Sequence, residues 1–301
     1  MKDTKEVNSH GKSPSDLRKA RLQLVISMVV FGTLAVFVRN IGLSSGELAL
    51  YRAILAALLI GGYLLFSTRK LQLSSMKKEL PLLLLSGAAM GINWILLFQA
   101  YNHTTVSVAT LSYYFAPIIV TVACPFLFRE KLTKKQLLCF IMSTVGVFLI
   151  IGVPDTGTMG KDTAGILFGL GAACFYATVI LLNKFIKTVA GIHRTFFQFL
   201  SAIIVLLPYV VFTSGFGFPA LSASGWINLL IVGLIHTGIT YCLYFSALKE
   251  LPGQEAAILS YMDPLVAVIV SLVVLGESIS ILQIFGGLLI LGFAVWNEKG
   301  A

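Results

Sequence analysis

Apolar runs recur ten times along the chain, over residues 22–38, 47–66, 80–100, 105–128, 134–152, 163–183, 194–214, 223–247, 253–275 and 280–297. At a rise of about 1.5 Å per residue, such runs have the length of helices that cross a hydrocarbon layer. Lipid offers no partner to an unpaired N–H or C=O, and a helix pairs its own backbone. The polar segments between the runs are short and leave no room for a separate soluble domain. The pattern predicts an all-α integral membrane protein with ten transmembrane helices. A polar, basic stretch over 1–21 precedes the first run. That run carries no small-x-small cleavage site, so the stretch reads as a cytoplasmic tail and not as part of a cleaved signal peptide.

Composition sharpens this picture. Hydrophobic residues make up 57% and charged residues 12% of the 301 positions, with a mean hydropathy of +0.91. The net charge of +9 would point to nucleic acid in a soluble protein; here the placement of the charge speaks of membrane orientation, and no nucleic-acid partner is expected. With the N-terminus inside, nineteen Lys and Arg fall on cytoplasmic segments, two (Arg39 and Lys161) fall outside, and Arg52 stands within a helix. That asymmetry places both termini in the cytoplasm and requires an even number of crossings. The four cysteines, Cys124, Cys139, Cys174 and Cys242, lie in apolar runs without CxxC spacing. They read as small core residues, with neither a metal site nor a disulfide framework.

The two halves of the chain repeat one another. A shift of 147 residues lays Phe98–Gln136 on Phe245–Gln283 without a gap, matching Ala109 with Ala256, Tyr114 with Tyr261, Pro117 with Pro264 and Glu130 with Glu277. After each Glu comes a capping box, Thr133-x-x-Gln136 and Ser280-x-x-Gln283, that opens the last helix of a five-helix unit. The second helices match at a shift of 146, where Arg52 falls on Gln198. Five is odd, so the halves must cross the membrane in opposite senses. Inverted repeats of this kind mark alternating-access transporters, whose solute site lies near the midplane between the halves.

These features resemble the EamA modules of the drug/metabolite transporter superfamily. The resemblance is carried by Phe115-Ala-Pro117 followed by Phe128-Arg-Glu130, and again by Tyr261-Met-Asp-Pro264 followed by Leu275-Gly-Glu277. It covers a first repeat over 22–152 and a second over 163–297. It implies a ten-helix fold, a cavity lined by helices 1, 3, 4, 6, 8 and 9, and solute transport, often the export of amino acids, amines or other metabolites across a bacterial inner membrane.

The focal stretch is Tyr261–Pro264. A carboxylate at mid-bilayer costs on the order of 3 kcal/mol by insertion scales, so an intramembrane acid is a functional-site candidate. Asp263 is expected to bind an amine-bearing solute or to carry a proton; the bland alternative is a carboxylate bonded to backbone or to a nearby tyrosine. The first repeat has Ala116 in its place, which breaks the pseudo-symmetry. Pro117 and Pro264 are expected to loosen their helices. His236 and, one turn on, Thr240 and Tyr241 are expected at mid-depth, as cavity lining or as packing. Asn93, Trp94, Tyr113, Tyr114, Tyr176 and Tyr261 would supply polar tips and aromatic walls suited to a partly apolar or cationic ligand. Arg52 is expected to snorkel towards Glu47 at the outer surface, with an anion-binding or gating role as the alternative. Glu130 and Glu277 are expected to be structural or gate residues. Ala53-x-x-x-Ala57-x-x-x-Gly61, Gly87-x-x-x-Gly91 and Gly165-x-x-x-Gly169 would let helices approach closely.

The leading function is a secondary transporter of a small metabolite, outward in direction, with no cofactor. There is no phosphate-binding motif, so a solute or proton gradient must drive it. The alternative is a facilitative or proton-coupled importer of a small cationic or zwitterionic solute. An enzyme would need converging catalytic groups, and neither HExxH nor GxSxG occurs. A channel would need a filter sequence or a ring of like groups, and a sensor finds no dedicated motif.

Overall fold

The computed structural model describes residues 14–38, 40–66, 73–103, 109, 112–151, 163–189, 191–215, 220–275 and 281–298. Arg39, Lys161, Glu277 and the start of the second capping box, Ser280, lie outside the described residues. The first repeat contains α1 (Pro14–Gly32), α2 (Leu34–Val38), α3 (Ser45–Phe66), α4 (Leu73–His103), α5 (Ala116–Phe128) and α6 (Lys134–Ile151). The second contains α7 (Thr163–Phe185), α8 (Gly191–Thr213) and α9 (Ala223–Leu230), which runs through a π-helix (Ile231–Ile239) into α10 (Thr240–Glu250). It closes with α11 (Gly253–Ser260), α12 (Met262–Leu275) and α13 (Ile281–Glu298).

Six helical segments among the described residues are long and apolar enough to cross a membrane: Ser15–Val38, Ser45–Phe66, Lys77–Ala100, Thr163–Phe185, Gly191–Thr213 and Ala223–Glu250. Ala116–Phe128 and Ile284–Asn297 are shorter apolar helices. Large apolar side chains such as Phe66, Phe126, Phe212 and Val273 point away from the bundle. In water they would be a liability; in lipid they are the expected surface. The architecture is that of an integral membrane protein.

The repeats pack on each other reciprocally. α4 of the first repeat lies against α7 of the second, and α1 lies against α10. α5 meets α7 while α12 meets α1, and the like helices pair as α3 with α8, α5 with α11 and α6 with α13. Each contact has its counterpart with the repeats exchanged, which is what a twofold relation between the halves produces. Most of the bundle's packing thus lies between the repeats.

Small residues let those helices meet, as the sequence predicts. A Cβ built on Gly87 of α4 would run into the Gln198 backbone of α8 and lie 2.7 Å from Ser201 Cβ. Polar groups lock the same seam: Gln198 Nε2 donates to Ser86 Oγ (2.7 Å) and to Asn183 Oδ1 (3.1 Å). Arg194, one of the nineteen cations that the charge pattern assigns to cytoplasmic segments, is wholly buried beside this seam. Its terminal nitrogens donate to the carbonyls of Asn183 (3.0 Å), Phe245 (3.4 Å), Ile186 and Val189 (3.5 Å). It therefore caps orphan carbonyls where α7 ends. Cys124 and Cys139 are buried, but Cys174 is exposed on the bundle surface and Cys242 is half-buried. The apolar runs alone do not distinguish the lipid face from the core.

The capping box of the first repeat is present. Thr133 N–H donates to Gln136 Oε1 (3.0 Å), and Gln136 N–H donates to Thr133 Oγ1 (3.1 Å).

Gly87→Val should cost about 1–3 kcal/mol through overpacking and lower the melting midpoint in detergent. Gly62→Ala, which meets no atom within 4 Å, should leave the midpoint unchanged or raise it slightly. Differential scanning fluorimetry on both variants checks this.

Candidate transport site

Three interruptions of regular α-helix face one internal space. The first lies between α1 and α2 at Thr33. There a Cβ built on Gly32 would fall 2.7 Å from Val266 Cβ and 2.8 Å from the carbonyl oxygen of Asp263. Glycine is what lets the end of α1 touch α12 beside the acid. The second is Tyr261, where α11 ends with φ −69° and ψ −6° before α12 begins at Met262. Pro264 stands in the first turn of α12, and Pro117 in the first turn of α5. Each proline starts a new helix and does not bend a continuous one. The third is the nine-residue π-helix Ile231–Ile239. Its wider turn rotates the side chains that follow it away from the register of an α-helix.

Between these elements lies a cavity of about 470 Å³. Of the sequence candidates, Asp263, His236, Trp94, Tyr113, Tyr114, Tyr176, Tyr241 and Pro117 line it, and so does Arg52. Met28, Leu97 and Phe98 supply part of its apolar wall. The space reaches from Ser260 and Asp263 towards Leu34, Val38 and Leu48, away from the end of the bundle that carries most of the basic residues.

Asp263 is half-buried and accepts a hydrogen bond from Tyr114 Oη at 3.2 Å. Tyr113 stands 6.0 Å from Tyr114, centroid to centroid, and stacks on Tyr176 at 5.3 Å. Tyr176 and Tyr244 share a hydroxyl hydrogen bond of 2.8 Å. Tyr241 sits 6.1 Å from Tyr244 and 6.2 Å from Trp94. The Arg52 guanidinium lies over the Trp94 ring at 4.0 Å. An unbroken aromatic wall therefore runs from the acid to the arginine.

The position of Arg52 corrects the expectation of snorkelling. Its side chain is buried and turned inward, and Glu47 instead accepts from the N–H (3.0 Å) and hydroxyl (2.6 Å) of Ser44. Glu47 is engaged in capping its own helix, and the cation–π seat on Trp94 draws the arginine to the bundle interior.

His236 Nε2 lies 2.9 Å from Thr33 Oγ1, and its Nδ1 lies 3.4 Å from the Ile231 carbonyl. Thr33 gives its own hydroxyl hydrogen to Val30 O (2.7 Å), so its oxygen is free to accept from the imidazole. The histidine thus ties the α1–α2 break to the π-helix.

Four candidates lie elsewhere. Asn93 donates to the Ala172 carbonyl (2.6 Å) and cements α4 to α7. Thr240 gives its hydroxyl to Ile235 O (2.9 Å) within its own helix. The π-turn takes it off the face it would share with His236, and Thr237 lines the cavity in its stead. Tyr261 turns towards α6, its hydroxyl 2.9 Å from Thr144 Oγ1. Pro264 is buried in the first turn of α12 and is not part of the lining. Sequence reasoning missed Thr237, Tyr244, Phe31 and Ser260. Tyr244, three residues beyond Tyr241, was open to a helical-face argument; Thr237 was not, because nothing in the local sequence announces a π-helix.

Below the cavity, the basic end is packed shut. Lys184 Nζ donates to Glu130 Oε1 (2.7 Å) and to Leu251 O (3.0 Å), and Glu130 Oε2 accepts from Gly253 N–H (3.2 Å). Arg21 pairs with Glu255 at 2.5 Å. Glu130 thereby joins α5, α7 and the start of α11.

Against known proteins, the model of the EamA-like transporter family matches residues 18–152 and again 163–297. The chain belongs to the EamA-like transporter family. It is a membrane transporter. Relatives include the uncharacterized transporter YxxF of Bacillus subtilis (strain 168), 32% identical over 89% of this chain and 88% of the relative. An uncharacterized transporter of Archaeoglobus fulgidus is 26% identical over 94% and 98% of the two chains. A protein of solved crystal structure shares the fold, with a TM-score of 0.78, 19% identity, and coverage of 94% of this chain and 99% of that one. In this EamA-like transporter Pro117 and Glu130, two of the positions that recur between the halves of the chain, mark the start of α5 and the ion pair beneath the cavity.

Lys184→Met should destabilise the fold by about 1–3 kcal/mol, because it leaves a largely buried carboxylate with only the Gly253 N–H. Adding Glu130→Gln should restore part of that loss. A double-mutant cycle on melting midpoints checks it; additive losses would deny the pairing.

Proposed function

We propose that this transporter is a secondary, alternating-access carrier that moves a small amine-bearing metabolite across a bacterial inner membrane. In this reading it has ten membrane helices, both termini are cytoplasmic, and efflux is its direction. The observation that carries the proposal is Asp263, set in a cavity between two reciprocally packed repeats. Its carboxylate has one hydrogen-bond partner among the described residues, Tyr114.

A carboxylate walled by tyrosines and a tryptophan suits an ammonium group, which gains a charge-assisted hydrogen bond and contact with ring faces. The basic residues at the closed end support cytoplasmic termini. The reciprocal packing supports rocking of one repeat against the other. The family resemblance supports export. With no nucleotide-binding motif, the drive comes from a gradient of solute or protons, and Asp263 and His236 are the cavity groups that would take up a proton.

Counterflow in proteoliposomes tests this reading. Wild-type protein should exchange labelled for unlabelled amine-bearing solute with saturable kinetics. Asp263→Asn should lower the exchange roughly 10-fold or more, the scale of a lost charge-assisted contact. Flux that never saturates would indicate a channel, and unchanged exchange in Asp263→Asn would remove the acid from the site.

A further inference from the structure

α11 runs from the cavity to the basic end of the bundle. Ser260, its last residue, lines the cavity, and Gly253, its first, lies against the Glu130–Lys184 pair. At the helical rise it spans about 12 Å, and all eight of its residues are buried. Prolines bound it on both sides. Pro252 precedes it in extended backbone, with ψ 146°. Pro264 brings no N–H to the carbonyl of Ser260, four residues back. The helix closes at Tyr261, whose N–H bonds back to Ile258 O (3.2 Å). No continuous ladder ties α11 to α12, and such a joint can absorb a change of angle.

The seam between α11 and α5 is tight but not apolar. A Cβ built on Gly253 would run into Cys124 Sγ. On α5, Thr121 and Cys124 continue the helical face of Pro117, which lines the cavity. Thr121 Oγ1 and, on α11, Gln254 Nε2 are buried without a hydrogen-bond partner among the described residues. An unpaired buried polar group is costly, and water would supply the missing partners if the seam opened. What holds the Gly253 end is polar as well: the Glu130 carboxylate on Gly253 N–H, Lys184 on Leu251 O, and Arg21 on Glu255.

We propose that α11 is the inner gate of the carrier. It swings about Tyr261, its Gly253 end leaves Cys124, and a passage lined by Thr121, Cys124, Gln254 and Ser260 joins the cavity to the basic end. Glu130 with Lys184, and Arg21 with Glu255, are the latches that hold it shut. The hinge lies two residues from Asp263, which places the gate and the acid on one joint. This inference rests on reading the cavity as the solute site and names the element that opens it inward.

Cys124 reports on the seam, because it is fully buried and only the parting of α11 from α5 would uncover it. Two single-thiol chains are compared in membrane vesicles. One keeps Cys124 and has the other three cysteines replaced by alanine. The other has all four replaced and carries Ser201→Cys, a buried site on the α4–α8 seam. The probe is an impermeant cationic methanethiosulfonate, added to the face with the basic end or to the opposite face. From the basic end, Cys124 should react at least roughly 10-fold faster than the thiol at position 201, as local opening exceeds global opening. Arg21→Gln should raise the Cys124 rate about 3- to 10-fold by breaking a latch and leave the control thiol unchanged. Arg21→Gln with Glu255→Gln should do no more than either alone. The proposal is overturned if Cys124 reacts no faster than the control, if it reacts as fast from the opposite face, or if Arg21→Gln leaves its rate unchanged. Should Arg21→Gln fail to fold, the comparison of the two thiols without it still decides. An inert Cys124 beside saturable counterflow would sink the gate and spare the carrier; no saturable counterflow of any solute would sink the carrier itself.

Discussion

A charge removed from water must find an opposite charge, a hydrogen-bonding cage or a path back to solvent, and in a bilayer the third choice is distant. The charges of this bundle sort by how they meet that demand. Arg194 has its cage of carbonyls. Glu130 and Lys184 have each other and the start of α11. Among the described residues Arg52 has only the Trp94 ring and Asp263 only the Tyr114 hydroxyl, and both face the same cavity. The helix breaks and the aromatic wall border that cavity.

The breaks have a common logic. A continuous α-helix hides its backbone and presents a fixed stripe of side chains; an interruption changes the stripe. Gly32 lets α1 end against α12, Tyr261 ends α11 just before the acid, and the π-turn swings Thr237 inward while Thr240 returns to its own backbone. His236 joins two of these sites through Thr33. Irregular backbone inside a membrane protein is tolerated where it is buried or lines a cavity, and all three sites meet that condition. Below them the Glu130–Lys184 pair, Arg21–Glu255 and the buried Leu251 keep the basic end closed.

Much of this was legible in the sequence, because lipid allows few architectures. Apolar run length pointed to the six helices that are long enough to cross a membrane among the described residues, and the recurrence of Pro117 as Pro264 and of Glu130 as Glu277 pointed to the two repeats that the family model matches. The depth of Asp263 in its run marked the cavity, and the aromatic candidates nearby came with it. What escaped was whatever depends on side-chain direction. Arg52 lies close enough to a helix end to snorkel, and only the seat on Trp94 shows that it turns inward. Asn93 and Tyr261 are polar groups at the right depth whose partners, Ala172 and Thr144, lie on helices distant in sequence. Thr240 was misplaced by a change of helical pitch that no residue pattern signals.

If the cavity is the transport site, solute occupies it during the cycle. A single cysteine at Leu97→Cys, on the cavity wall, in a chain whose four native cysteines are replaced, puts that to the test. The rate of its reaction with a small thiol reagent is measured with and without the solute that shows counterflow. The expected result is a reactive thiol that saturating solute protects, with half-protection near the transport half-saturation. A thiol that reacts equally fast under saturating solute would contradict it.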